Sequence, residues 1–251
     1  MSKPKVVASI EARMTSSRLP GKVMEVIVGQ SVLDHVLLRL QKAKAIDQII
    51  LATTTNPEDD VLSDWAEKKN IFCFRGSEDD VLSRVVSAHQ CVKSDIIVEI
   101  TGDCPLTDPI IVDWGIDTFL KNKCDVVTNC WYPGFPEGAD IQVFNLSSLE
   151  WVNENVTNLD VREHVSLYFY RNPDQYNIIH LRPPETYKYK NLRLQLDYPE
   201  DLKFIKRLFQ HFYHDGVDFG VYEIVQLLKN NPNFLIDNKY CTEKDIRNND
   251  I

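Results

Sequence analysis

Val6-Val7-Ala8-Ser9-Ile10, followed at once by Glu11-Ala12-Arg13-Met14-Thr15-Ser16-Ser17-Arg18-Leu19-Pro20-Gly21-Lys22, sets the reading of the chain. Five small or apolar residues in an unbroken run read as a strand buried on both faces. Residues 31–44 then place Val32, Leu33, Val36, Leu37 and Leu40 at helical spacing. Strand, cationic loop and helix in that order are the opening of an α/β unit. The same alternation continues downstream. Strands are expected at Ile49–Thr53, Ile71–Phe74, Asp95–Ile100 and Asp125–Thr128. Helices are expected at 58–69 behind Asn56-Pro57, at 79–91, and at 109–120 opening on Pro109. Strands alternating with helices of this length predict a mostly parallel sheet covered on both faces.

The pattern changes after residue 128. Pro133, Gly134, Pro136 and Gly138 predict an inserted arm over 129–160. Strands are expected again at Ile141–Phe144, Tyr176–Leu181 and Leu192–Leu196, with helices at 161–171, 199–213 and 220–230. The chain reads as one domain over 1–230, ending in a polar, Asn-rich tail over 231–251.

Composition narrows the function. Acidic residues outnumber basic ones by 37 to 28, a formal charge of −9, which argues against nucleic acid or an anionic membrane as partner. No apolar run is long enough for a membrane helix. Met1-Ser-Lys-Pro-Lys leads straight into the first strand without a signal-peptide core. Cys73, Cys91, Cys104, Cys124, Cys130 and Cys241 form no C-x-x-C pair, the usage of reduced thiols in a cytoplasmic protein.

Against that acidic background, the first loop gathers Arg13, Arg18 and Lys22 among Ser16, Ser17, Thr15 and Gly21. A charge run is usually a solvated turn. Directly beyond a strand, however, guanidinium forks, an ammonium, hydroxyls and open backbone N–H groups suit a polyphosphate. Neither the P-loop pattern nor G-x-G-x-x-G is present. Two further strand ends carry carboxylates: Thr101-Gly102-Asp103-Cys104-Pro105 and Leu196-Asp197-Tyr198-Pro199-Glu200-Asp201. Either Asp alone could be turn chemistry, and Asp201 reads best as an N-terminal helix cap. Together with the cationic loop, Asp103 and Asp197 can hold Mg²⁺ with a nucleoside triphosphate.

These residues resemble a known family. Ala12-Arg13 through Ser16-x-Arg18-Leu19-Pro20-Gly21-Lys22 is similar to the opening motif of the cytidylyltransferases that activate sugar acids. That family includes the acylneuraminate and 3-deoxy-octulosonate enzymes, and the resemblance is strongest to the spore-coat polysaccharide branch. It continues through Ala52-Thr53-Thr54-Thr55 with Asp59-Asp60, Arg75-Gly76-Ser77-Glu78-Asp79-Asp80, Thr101–Pro105, Arg162-Glu163-His164-Val165 and Leu194–Asp201. It implies a Rossmann-like α/β nucleotidyltransferase fold and a Mg²⁺-dependent reaction of CTP with an anionic acceptor, giving a CMP conjugate and pyrophosphate. It implies that Arg13, Ser16, Arg18 and Lys22 contact the triphosphate. Ala12, Ala52, Arg75, Gly76, Ser77 and Gly102 would border CTP, and Asp103 and Asp197 would hold the metal. Arg162 and His164 would face a keto-sugar acid. Octulosonate enzymes usually carry Gln-Gly-Asp-Glu-Pro where this chain has Thr101-Gly102-Asp103-Cys104-Pro105.

Two other readings compete with this one: CMP transfer to a phosphate- or phosphonate-bearing acceptor, and a non-catalytic nucleotide-binding protein. On its own, His164 would read as a helix-surface or half-buried histidine, and Cys104 as a small buried thiol. The aromatic run Trp131-Tyr132-Pro133-Gly134-Phe135-Pro136 is expected either to cap the acceptor pocket or to pack across a homodimer, the assembly common among related enzymes.

Overall fold

Strand β1 (Val6–Glu11) lies inside a seven-stranded sheet, with β4 (Gln48–Thr54) on one side and β6 (Ile96–Thr101) on the other, both parallel to it. The computed structural model describes residues 3–132, 134–214 and 218–242. Pro133 of the expected arm and residues 243–251 of the expected tail lie outside the described residues. In chain order, β1 is followed by the short pair β2 (Val26–Ile27) and β3 (Gln30–Ser31), α1 (Val32–Leu40), β4, α2 (Asp60–Lys68), β5 (Phe72–Gly76), α3 (Val81–Cys91), β6, α4 (Pro109–Lys121) and β7 (Val126–Thr128). After these come β8 (Gln142–Asn145), α5 (Leu146–Asn155), α6 (Leu159–Glu163), α7 (Leu167–Arg171), β9 (Ile178–His180), α8 (Pro199–His214) and α9 (Val221–Asn230). The sheet order is β5-β4-β1-β6-β8-β7-β9, and only β8 runs against its neighbours.

The helices start where local chemistry dictates. Ser31 caps α1 by accepting from the Asp34 N–H at 3.0 Å, while the Asp34 carboxylate accepts from the Ser31 N–H, a reciprocal capping box. Asp108 accepts from the Ile110 N–H at 2.9 Å and Pro109 opens α4, so a helix start needs no donor there. One face of the sheet packs Ala8, Ile10, Val98, Ile100, Val127 and Val143 against α1, α4, α8 and α9. The other face packs Ile97, Val126 and Phe144 against α3, α5, α6 and α7. A core on both faces explains why the strands read as unbroken apolar runs rather than alternating ones.

Three sequence expectations are corrected. Leu192–Leu196 is extended but joins no ladder strand. Its hydrogen bonds go to loops: Glu137 N–H to Leu192 C=O, Leu194 N–H to Glu137 C=O, and Leu196 N–H to Asp103 C=O at 2.9 Å. The helix expected over 161–171 is broken into α6 and α7, with extended backbone at His164. Of residues 129–160, the expected arm, the strand expected over Ile141–Phe144 forms at Gln142–Asn145, but as a ladder strand between β6 and β7, and Leu146–Asn155 is a helix packed beneath α3. The aromatic run of that arm packs on its own chain, Trp131 stacking on Tyr170 at 4.4 Å and Phe135 lying 6.0 Å from Trp114. No described helix is long and apolar enough to cross a membrane.

Candidate active site

The carboxyl ends of β1 and β6 adjoin in register, Glu11 opposite Thr101, so the loops that leave them lie side by side. Gly102 makes that approach possible. Its N–H donates to Glu11 C=O at 2.8 Å, and a Cβ there would stand 2.9 Å from Ala12 Cβ and 3.0 Å from Glu11 O. The loop after β1 is folded back on itself, with Gly21 N–H donating to Met14 C=O at 2.8 Å and Gly21 in the left-handed region at φ 75°. Asp59, fully buried, anchors it by accepting from the Met14 N–H at 2.7 Å and from the Thr54 hydroxyl. Glu78 ties down its outer limb, accepting from Thr15 Oγ1 at 2.5 Å, Asn56 Nδ2 at 2.6 Å and Arg13 Nη1 at 2.9 Å.

This scaffold brings Lys22, which opens a short 3₁₀ turn, into contact with both strand-end carboxylates. Its buried ammonium donates to Asp103 Oδ2 and, at 2.8 Å, to Asp197 Oδ1. Arg18 reaches the same Asp197 oxygen at 2.7 Å and lies over the Tyr198 ring. Arg193 takes the other Asp197 oxygen at 2.5 Å and also pairs with Asp201 at 3.1 Å and Glu137 at 2.7 Å. The Leu196–Asp103 backbone bond holds the two carboxylate-bearing segments together. Burial alone would push the Asp197 pKa up, but Lys22, Arg18 and Arg193 outweigh it and hold the carboxyl below its ordinary value. Burial likewise disfavours the Lys22 ammonium, and Asp103 and Asp197 reverse that, raising its pKa. Two carboxylates meeting at one cationic atom form a hard-oxygen pair that fits Mg²⁺, which binds through one or two carboxylates plus phosphate and water oxygens.

Arg18, Lys22, Asp103 and Asp197, four of the expected site residues, are therefore joined by direct contacts, and Ala12 and Gly102 form the backbone seam beneath them. Ala52 sits in register with Glu11, its C=O accepting from Ala12 N–H at 3.4 Å. Ser16 is half-buried in the loop. Arg75 is held on the β4 side, donating to Thr54 C=O at 2.9 Å and Asn56 C=O at 2.8 Å and pairing with Asp60 at 2.6 Å. Beyond it, Gly76 C=O accepts from Thr55 N–H at 3.0 Å and Ser77 Oγ from Asp80 N–H at 3.1 Å. Arg162 stands apart from the Lys22 cluster in its hydrogen bonds. It pairs with Asp80 at 2.5 Å and donates to Asn153 and Val156, knitting α5 and α6 to the start of α3. His164 lies half-buried at the break between α6 and α7.

Asp201 does the capping expected of it, accepting from the Asp197 and Tyr198 N–H groups at 2.9 Å each. Cys104 is a buried thiol whose pKa burial pushes well up, the opposite of a nucleophile's. Arg193 was not anticipated, although an arginine two residues from Gln195 and four from Asp197 inside an apolar run was the available signal. Glu11 and Glu99 were also missed. Burial raises Glu11 to about 7 despite the opposing charge of Arg84, and raises Glu99 well above the carboxylate range, with Glu11 adding to it.

Residues 7–228 match the cytidylyltransferase family. The spore coat polysaccharide biosynthesis protein SpsF of Bacillus subtilis is 32% identical over 228 residues, covering 89% of this chain and 93% of that protein. The solved structure of a cytidylyltransferase from Leptospira borgpetersenii superposes with a TM-score of 0.87 at 31% identity, over 97% of this chain and 100% of that one. A CMP:2-keto-3-deoxy-manno-octonic acid synthetase solved in complex with CTP shares the fold, with a TM-score of 0.64 at 18% identity over 82% of this chain and 99% of its own.

Proposed function

The chain belongs to the cytidylyltransferase family, and from that premise we propose that it is a cytoplasmic enzyme transferring CMP from CTP to an acidic keto-sugar, with release of pyrophosphate, for surface polysaccharide or glycoconjugate assembly. The observation that carries this is the single Lys22 ammonium shared by Asp103 and Asp197, with Arg18 on the same carboxylate. Cations and hard oxygens converge there, as in-line displacement at a phosphorus requires. In this reading Asp103 and Asp197 hold Mg²⁺, which when bound neutralises charge on the phosphates. Arg13, Ser16, Arg18 and Lys22 bind the triphosphate and offset charge growing on the departing pyrophosphate. Ala12, Ala52, Arg75, Gly76, Ser77 and Gly102 border the nucleotide. Arg162 and His164, at the end of α6, stand on the acceptor side in this reading. The names of the relatives support an acidic sugar and a polysaccharide product, and the six free thiols suit a reducing compartment.

Pyrophosphate release with CTP and Mg²⁺ against octulosonate, neuraminate and phosphorylated acceptors tests the proposal. Release with a sugar acid, abolished by Asp103→Asn, is expected. Release only with a phosphorylated acceptor would overturn the substrate class. His164→Ala should weaken acceptor binding and leave CTP binding intact; equal loss of both would remove it from the acceptor side. The homodimer belongs to the same proposal, and a monomer in equilibrium sedimentation at micromolar concentration would remove it.

A further inference from the structure

The sheet face beneath α3, α5, α6 and α7 changes character within one step along the strands. Val7, Ile97, Phe144, Val126 and Ile178 are successive register partners across β1, β6, β8, β7 and β9, an apolar row under the helices. Two residues nearer the carboxyl edge, the register partners on those same strands are Ser9, Glu99, Gln142, Thr128 and His180. Residues two apart share a face, so five polar side chains stand in line where a core would continue with apolar ones.

Polar groups at such depth need partners, and the middle of the row has them. Gln142 Nε2 donates to Glu99 Oε2 at 3.1 Å, and the Tyr170 hydroxyl, from α7, lies 2.5 Å from Gln142 Oε1 and 2.8 Å from Thr128 Oγ1. Trp131 stacks on the Tyr170 ring. The ends of the row differ. Ser9 is fully buried, and its hydroxyl oxygen has no hydrogen-bond partner among the described residues. The same holds for Oε1 of Glu11, the next residue of β1 on that face, and for Nδ1 of His180 at the far end. Glu11 is register-paired with Thr101, two residues before Asp103, so the row opens toward the reaction centre proposed above.

Resting on the transferase reading, we propose that this row is the floor of the acceptor site and takes the hydrogen-bond-donating part of the acceptor, its hydroxyls or an amino group, with the acceptor's own acid group turned away from it. The free atoms at the β1 end are oxygens, and Glu11 and Glu99, whose burial favours the protonated form, offer a carboxylate or phosphate no countercharge. A donor completes their hydrogen bonding instead. Glu99 then determines specificity by direct contact, while Tyr170 positions it through Gln142.

Pyrophosphate release is measured with CTP and Mg²⁺ for wild type, Glu99→Leu, Glu99→Gln and Tyr170→Phe. The acceptor probes are 3-deoxy-manno-octulosonate, its 8-amino-3,8-dideoxy counterpart and N-acetylneuraminate, and CTP affinity is followed by calorimetry. Acceptor KM for the best probe should rise about tenfold or more in Glu99→Leu and a smaller amount in Tyr170→Phe, which removes one oxygen, with CTP affinity unchanged. Glu99→Gln separates the two donors: a hydroxyl still finds an acceptor oxygen and KM holds, whereas an amino group loses its charge partner and KM follows Glu99→Leu. Unchanged acceptor KM in both Glu99→Leu and Tyr170→Phe would overturn the row as acceptor floor while leaving the transferase reading intact. Wild-type protein that binds CTP but turns over none of the three would overturn the acidic-sugar reading and this inference with it.

Discussion

Lys22 and Asp197 each serve more than one partner, and that sharing sets what single substitutions should do. Asp197 is almost fully buried and meets three cations at once. Asp197→Asn keeps the shape but removes a countercharge from Arg18, Lys22 and Arg193 alike, leaving Lys22 to Asp103 and Arg193 to Asp201 and Glu137. Turnover should fall about a hundredfold or more while KM for CTP changes less, as steady-state kinetics at saturating Mg²⁺ will show; near-full turnover would remove Asp197 from the proposed metal site. Glu11 makes a different prediction. Its folded pKa of about 7 lies above the ordinary carboxyl value, so between those two values the native state binds a proton that the unfolded chain has released. Its contribution is fully present below the unfolded pKa and is lost as pH rises through about 7. Denaturant midpoints of wild type should therefore fall relative to Glu11→Gln between pH 5 and pH 8, and a difference independent of pH would contradict the assignment. Arg18, Lys22, Asp103 and Asp197 were legible in the sequence because they lie in the loops that leave apolar runs, where chemistry in α/β sheets collects. Glu11, Glu99 and Arg193 were not, because each sits inside or against such a run and its partners lie far along the chain, Glu137 being 56 residues from Arg193.

The elements that aim these side chains are held together by backbone as much as by side chains. Gly102 is the seam between the loops after β1 and β6, and the nearest contacts a Cβ would make there are with Ala12 Cβ and Glu11 O, neither of which can swing away, with Leu33 Cδ1 just beyond. Gly102→Ala should lower stability by about 1–3 kcal/mol in denaturant unfolding and weaken CTP binding in parallel; a neutral result would mean that the two loops separate freely. The extended segment at Leu192–Leu196 explains its own misreading. Alternation of Leu192, Leu194 and Leu196 with Arg193 and Gln195 is the period of a strand, and the backbone is indeed extended. Its donors and acceptors are taken up by Glu137 and Asp103 rather than by a neighbouring strand, and periodicity carries no information about that choice. The parallel elements β1, β4 and β6 and their helices were legible because burial on both faces leaves long apolar runs, whereas the edge strand β5 was legible only from its short apolar stretch between helices. The antiparallel insertion of β8 was not, since a hydrophobic pattern fixes which face is buried but not which strand lies alongside.

Across the whole molecule, the polar C-terminal stretch takes part in the core. Asn238 is buried and donates to Arg193 C=O at 3.0 Å and to Asp201 Oδ1 at 2.7 Å, while Asp237 pairs with Arg207 and Lys203. Asn238→Ala leaves an Asp201 oxygen and a carbonyl without that donor. It should lower stability by about 1–3 kcal/mol and reduce CTP affinity through Arg193, measured by thermal shift and calorimetry on one preparation. Unaltered melting and binding would show that the segment merely rests on the surface. Composition had marked these residues as a tail because Asn and Asp are common in loops, and nothing local reveals that an amide there will meet a carboxylate 37 residues earlier. The contacts that assemble Asp197 thus draw on residues 18, 22, 103, 137, 193, 201 and 238. A nascent chain emerging from the ribosome can pair its first parallel strands early, but the contacts around Asp197 are not assembled until residues 193–238 have been made and docked. On the transferase reading, CTP binding then reports that the segment carrying Asn238 has docked, and chains stalled before Arg193 should be silent rather than partly active.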